Sequence, residues 1–441
     1  MKGAGLRLKA ISRHPLASTH YPSPIISIMN PKRIAAVVAL LLLSLPFAAS
    51  KTIIVGKDMP VKTITHAVYI AQPYDSIVVN RGLYLERVNI TKPVVLKGVG
   101  EPTVDARKSG TVITVSCSGV SIEGFRIVNS ARSSLRDYCG ILCKDSRCVS
   151  IKNNVMRSDQ FSIMMQNCVD CRITGNSVES DIMEMQVMGN AIHCWKCDSI
   201  YIAYNRVGHN RDGIYLEFVY NSLIEHNEVS ECERYGLHFM FSHHNVYRRN
   251  RFYCNLAGVA VMYTHDVQMY ENIFEQNRGG SSYGLLLKDI SHGEIKYNTF
   301  SDNTMGILMD GGTNLRLSAN LFRSNGWAIR VVASSTNDTI VSNSFVGNTF
   351  DISTNSSYNS NTFDGNYWDK YTGYDLDKDG IGDTPHHPLS LFAMLAERNS
   401  GVLLFFKSML MSLMEQSERL LPSITPDNYS DNAPLMKPTR I

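Results

Sequence analysis

The sequence predicts an all-β chain wound as a right-handed parallel β-helix, closed by a short helical cap on its N-terminal side and followed by an amphipathic helical tail. Three observations carry this. Units open at Gly140, Ser162, Ala191, Gly213, Gly236, Gly258, Gly284, Gly306 and Ala328, with spacings of 22, 29, 22, 23, 22, 26, 22 and 22 residues. A repeat of this size marks units that bury an apolar face only by stacking on one another. Fourteen residues after each of the first eight openings stands an asparagine: Asn154, Asn176, Asn205, Asn227, Asn250, Asn272, Asn298 and Asn320; the ninth unit slips by one, to Asn343. Two positions further on, the column is apolar, from Met156, Val178, Val207 and Val229 to Phe252, Phe274, Phe300 and Phe322, and the residue after every opening is Ile, Leu or Val. Stacked coils ~4.8 Å apart would fill the bore with these columns. The asparagine amides would bond along the stack and saturate backbone groups otherwise buried unpaired.

The elements follow in order. Residues 1–50 carry six basic and no acidic side chains, so the formal charge of +3 over 441 residues becomes −3 for the remainder, and nothing suggests nucleic acid as a partner. "MNPKRIAAVVALLLLSLPFAAS", from Met29, has the charged start, apolar run and small-residue end of a secretory signal, which predicts export. A membrane anchor is the alternative, against which the apolar run is shorter than the ~20 residues a spanning helix needs. Residues 1–28 offer no usable pattern. A short amphipathic helix near residues 61–71 caps a β-helix expected over 51–365. An Asp-rich segment follows over 366–389, and an amphipathic tail over 390–441. Charged residues make up only 19% of the chain, which argues against a helical bundle and against disorder.

Counting each opening as zero, positions one and three face the bore, and two and four face out. In "RYGLHFMFSHHN" the outward set contains His238 and Met240, and Met262 occupies Met240's column one coil on. Around the next turn, His243 and His265 share a column on adjacent coils. The extra residues of the two long coils fall before Ala191 and before Gly284, where they would frame a bay four coils wide, roughly 19 Å. The first of these loops carries Met183, Met185 and Met188. Thioether sulfur is soft and suits Cu(I), and imidazole suits both copper states, so copper is the metal that these residues would hold best. The bland reading is a sticky methionine patch that a partner covers.

A carbohydrate-binding or carbohydrate-processing protein is the rival reading, because many pectin-lyase-like β-helices act on glycans. Hydrolysis needs two carboxyls ~5–9.5 Å apart. Glu217 and Asp310 stand four coils apart on this face, near 19 Å, and cannot act together.

Ten cysteines in an exported chain suggest disulfides. Cys168 and Cys197 both fall at position six of adjacent coils, and Cys232 and Cys254 are nearly in register; thiolate metal ligation and plain buried thiols are the alternatives. "DLDKDGIGD" places Asp375, Asp377, Asp379 and Asp383 at positions one, three, five and nine of a calcium loop, with Gly380 at six. His386 stands where the bidentate Glu belongs, so a plain acidic turn is the other reading.

"GNYWDKYTGYDLDKDGIGDTPHHP", an apolar helix, then "SERLLPSITPDNYSDNAPLM", together with coils such as "RDGIYLEF", "GVAVMYTHD" and "YGLLLKDI", resemble the NosD family over most of residues 60–437. The resemblance implies a periplasmic, non-catalytic copper-binding protein that supports maturation of nitrous oxide reductase in denitrification. It further implies ABC transporter permease and ATPase subunits, a copper chaperone and the reductase itself as partners, with copper or sulfur destined for a copper-sulfide centre. The many cysteines and residues 1–28 depart from the family pattern. In the tail, "GVLLFFKSMLMSLMEQSERLL" is interrupted by Lys407 and Glu415, which favours an amphipathic helix that caps the β-helix or meets a membrane surface.

Overall fold

The computed structural model describes residues 50–439 apart from 158, 182, 183, 357, 421–425, 427 and 428. The segment read as a secretory signal and Met183 therefore lie outside the described residues. Three parallel sheets of 14, 12 and 13 strands run the length of the chain, and hydrogen-bonded neighbours are almost everywhere three strands apart in sequence. Each coil thus gives one strand to each sheet, as the repeat predicts. In the twelve-stranded sheet the residues after the openings pair in one unbroken row: Ile141, Ile163, Ile192, Ile214, Leu237, Val259, Leu285, Ile307 and Ile329. All nine are fully buried. The openings themselves are small because a side chain there meets the next coil: a Cβ at Gly236 would stand 2.7 Å from the Gly258 carbonyl oxygen.

The asparagine column forms the expected ladder. Each Nδ2 donates to the Oδ1 of the next asparagine at 2.9–3.1 Å, from Asn154 to Asn366. Each Oδ1 also accepts the backbone N–H of the preceding asparagine, as Asn272 does from Asn250 at 3.0 Å. A second ladder, Asn255, Asn277, Asn303, Asn325 and Asn348, runs at another turn with Nδ2···Oδ1 distances of 2.9–3.4 Å. Phenylalanines stack in the bore from Phe252 to Phe345, ending on Trp368, with ring centroids 4.1–5.6 Å apart.

Both ends are closed. Helix α1, Ile64–Ile70, buries Ile64, Ala67 and Val68; Thr63 caps it, and the Glu86 carboxylate accepts the Ile64 and Thr65 amides. At the other end, helix α2, Leu391–Arg398, begins on an Ser390 cap and lays Phe392 against Phe350, in the last strand of the twelve-stranded sheet. An Arg330–Glu397 ion pair fastens it to the preceding coil. A 3-10 turn, Ser400–Phe405, leads to helix α3, Met409–Leu420. The capping role expected of the tail is thus present, yet Leu404, Phe405, Met409, Leu410 and Leu413 remain exposed. Among the described residues no helix is long and apolar enough to cross a membrane.

One buried acid is a flaw in the stack. Asp338 accepts the Leu315 amide at 2.8 Å, but its second oxygen has no partner, and burial pushes its carboxyl up to about 6. A raised carboxyl binds its proton more tightly when folded, so the associated stability is full below the unfolded value near 3.8 and lost as pH rises through about 6. At neutral pH the ionised form is a burden. Asp338→Asn is expected to stabilise the chain by about 1–3 kcal/mol at pH 7, with little effect at pH 4, when thermal melts are compared across that range.

Candidate functional site

Sheet register brings the predicted thioethers together. Met240 and Met262 are direct partners on the adjacent strands Tyr235–Met240 and Ala257–Met262, and both are half-buried on the outer face. Glu217 precedes them in this row, and Lys288 and Asp310 follow, the last two joined at 2.7 Å. The register also keeps Glu217 and Asp310 four strands apart. The Tyr215 hydroxyl donates to the Met240 sulfur at 3.6 Å. Burial raises that phenol to about 12, so it remains a donor at neutral pH.

His238 faces the same side as Met240, two residues away, but solvent does not reach it. Its ring is buried between Tyr215 and Tyr235, each 4.8 Å away between centroids. This corrects the expectation of an open floor. The loop before Gly284 ends at Tyr283, whose carbonyl accepts the Gly258 amide at 2.8 Å, and the rings of Tyr215 and Tyr235 cover His238 on the sheet's outer face. His193 continues the column, its ring 4.7 Å from Tyr215, with the neutral form favoured because burial and Arg211 push its pKa down to about 4. Both ring nitrogens of His193 and of His238 are buried without a hydrogen-bond partner. Beside them Asp212, fully buried, forms an ion pair with Arg234. Burial alone would raise its carboxyl, but the Arg234 hydrogen bonds hold it below the usual range. The Asp212 oxygen lies 3.8 Å from His238 Nδ1, too far for a hydrogen bond. Asp212 and Arg234 escaped the sequence reading because they precede the openings; the position before each opening is another outward column, and tabulating it would have found Asp212 beside Tyr235.

The loop methionines divide. Met185 is half exposed, whereas Met188 is 6% exposed and packs inward, so it is not the free loop donor expected. Its amide and that of Val187 turn back on the Glu184 carbonyl, and this local turn carries Met188 towards the protein.

His243 and His265 stack at 3.9 Å, and His243 Nδ1 accepts the His265 amide at 3.1 Å. The residue after each completes the turn in a left-handed conformation, His244 at φ 57° and Asp266 at φ 56°. The ligand atoms of His244, His265 and Asp266 lie within 4.8 Å of one another. His244 and Asp266 were not among the expected ligands, although both stand in the quoted coil motifs.

All ten cysteines are free thiols. Cys232 and Cys254 cannot face each other, because they are one step out of register: Cys232 is buried and bonded to Asn255, while Cys254 points outward to Gln276. Cys168 and Cys197 are buried on adjacent coils, as their column predicts, but as thiols rather than the expected disulfide. In the Asp-rich loop, Asp375, Asp377 and Asp379 converge, and Gly380 makes the turn at φ 90°. Asp383 is drawn away to accept the Leu376 amide at 2.7 Å. The His386 ring packs between Trp368 and Tyr371, which removes it from the ligand set. Three carboxylates offer oxygen to a hard cation such as calcium, with fewer protein ligands than the usual loop.

A family profile described as periplasmic copper-binding protein (NosD) matches residues 178–373. These residues span the coils that bear the methionine pair and the histidine turn. A chain from Pseudomonas aeruginosa called "Probable ABC transporter binding protein NosD" is 26% identical over 403 residues, covering 81% of this chain and 87% of its own. One of the same name from Stutzerimonas stutzeri is also 26% identical, over 81% of this chain and 85% of its own. By these matches the chain is similar to the NosD family. Among solved structures, a lacto-N-biosidase from Eubacterium ramulus superposes with TM-score 0.52 at 13% identity, covering 76% of this chain and 70% of that one. XylC in complex with xylose gives TM-score 0.52 at 11% identity, over 74% and 88%. Those two likenesses show the parallel β-helix alone; the likeness to NosD rests on sequence that runs through the coils.

Proposed function

We propose that this chain is an exported, non-catalytic copper-handling accessory of an ABC-type transporter. It presents Cu(I) on the outer face of the twelve-stranded sheet, in support of copper-sulfide centre assembly in nitrous oxide reductase. The observation that carries this is the pairing of Met240 with Met262, beside a buried His238 whose ring nitrogens both lack partners. Two thioethers and an imidazole form a soft donor set that suits Cu(I) and serves hard cations poorly. The family description and the relatives' names support copper and an ABC transporter. The exposed apolar residues Leu404, Met409 and Leu413 would meet the permease or the membrane surface around it. A copper chaperone would load the sheet face, and the reductase would receive the cargo.

Anaerobic titration with Cu(I) against a chromophoric chelator tests the site. The wild-type chain is expected to bind with an X-ray absorption signature of sulfur ligation. Met240→Ala/Met262→Ala is expected to lose at least a hundredfold in affinity with its circular dichroism intact. Unchanged affinity and stoichiometry in that variant would remove the proposed site. Selective retention of a glycan, with no copper bound, would instead favour a carbohydrate-binding protein.

A further inference from the structure

We propose that His244, His265 and Asp266 form a second metal site, which takes a divalent transition-metal ion through nitrogen and oxygen and is separate from the thioether face. The inference extends the copper-handling reading, but its geometry stands apart from it. Asp266 Oδ2 lies 2.8 Å from His265 Nδ1 and 3.5 Å from His244 Nδ1, so one carboxylate oxygen is bracketed by two imidazoles. The two rings meet edge to face, with centroids 5.1 Å apart, and the Nδ1 atoms of both lie near the same carboxylate oxygen. Three donors ~2.0–2.2 Å from one tetrahedral ion would stand ~3.3 Å apart. The present atoms, all within 4.8 Å, need only side-chain rotation to reach that spacing.

The backbone holds the donors in place. His244 and Asp266 occupy the same left-handed turn position on adjacent coils, and His292 follows in the same row at φ 55°. The His244 amide donates to the His265 carbonyl, and the Asp266 amide to the Ser291 carbonyl, which fixes the row along the helix axis. His243 acts as a positioning residue. Its Nδ1 is engaged by the His265 amide and its ring is stacked on His265, so it fixes that ring's plane while its own Nδ1 is unavailable to a metal. His244 and Asp266 are exposed and His265 half-buried, so an ion enters directly from solvent. No thioether or thiolate stands in this set. Imidazole with carboxylate favours Cu(II) or Zn(II), whereas the thioether pair three to four positions earlier on the same coils favours Cu(I). The bland alternative is that the two histidines simply share an ion pair with Asp266.

Titration of the metal-free exported chain with Cu(II), without reductant and against a competing chelator, tests the site by electron paramagnetic resonance. One Cu(II) with nitrogen hyperfine couplings is expected, and Zn(II) should compete for the site only in large excess. Asp266→Asn and His244→Ala/His265→Ala are each expected to weaken binding at least tenfold, and the double variant to abolish the couplings. Met240→Ala/Met262→Ala should leave the signal unchanged. The same spectrum and affinity in His244→Ala/His265→Ala, with circular dichroism unchanged, would overturn the proposal, as would absence of bound Cu(II) in the wild-type chain. The Cu(I) titration reports the thioether face by itself, so either site can fail without hiding the other.

Discussion

Replacing Asp431 by alanine is expected to open the C-terminal end of the β-helix, at a cost of about 4 kcal/mol or more. Its carboxylate is fully buried and ends the long asparagine ladder. One oxygen accepts Asn366 Nδ2 at 3.0 Å, the Asn366 amide at 2.8 Å and the Trp368 indole N–H at 3.0 Å. The other accepts the Gly365 and Ala433 amides at 3.0 and 3.1 Å. Alanine would leave these donors without an acceptor beneath the tail that covers them. A stacked repeat is stabilised by its neighbours, so the loss should spread from the end inward. Hydrogen exchange should show protection falling first in the strands Thr362–Asp364 and Tyr367–Trp368, with the coils before Gly213 unaffected. An unchanged melting temperature would show that the tail is an ornament rather than a cap.

His238→Phe is expected to separate packing from ligation. The aromatic ring would keep its place between Tyr215 and Tyr235, while two buried nitrogens without partners disappear. Each such group costs about 1–3 kcal/mol when unsatisfied, so the variant should melt no lower than wild type. Its Cu(I) affinity should fall about a hundredfold, equivalent to about 2.7 kcal/mol. Unaltered affinity would assign the metal to Met240 and Met262 without the imidazole, and a collapse in stability would make His238 a structural residue held by its contact with Asp212.

The expectation of His238 in solvent fails for a reason that the repeat does not contain. Its column is outward, as the alternation of the strand requires, but outward means away from the bore, and neighbouring rings can still cover it. Tyr215 occupies the same column one coil earlier and Tyr235 the position before an opening; the period gives both places but not the lean of either ring over His238. Met188 turns inward through hydrogen bonds within its own loop. The cysteine pairs show the same division. Cys168 and Cys197 fall where their column puts them, whereas a single-residue offset puts Cys232 and Cys254 on opposite sides of one turn. The second asparagine ladder was legible in principle, since Asn255, Asn277, Asn303 and Asn325 recur at one position, nineteen after the openings.

The sequence by itself determined the parallel β-helical winding, its register, the asparagine ladder and the pairing of Met240 with Met262. Each follows from a regular spacing, because in a parallel stack equal positions on successive coils must lie over one another. Only the tertiary structure decided which outward side chains remain open, how His244 and Asp266 converge on His265, and that Asp431 closes the ladder across more than sixty residues of chain. Those depend on rotamers, on irregular loops and on a returning tail, where contact is set by three-dimensional proximity and no period records it.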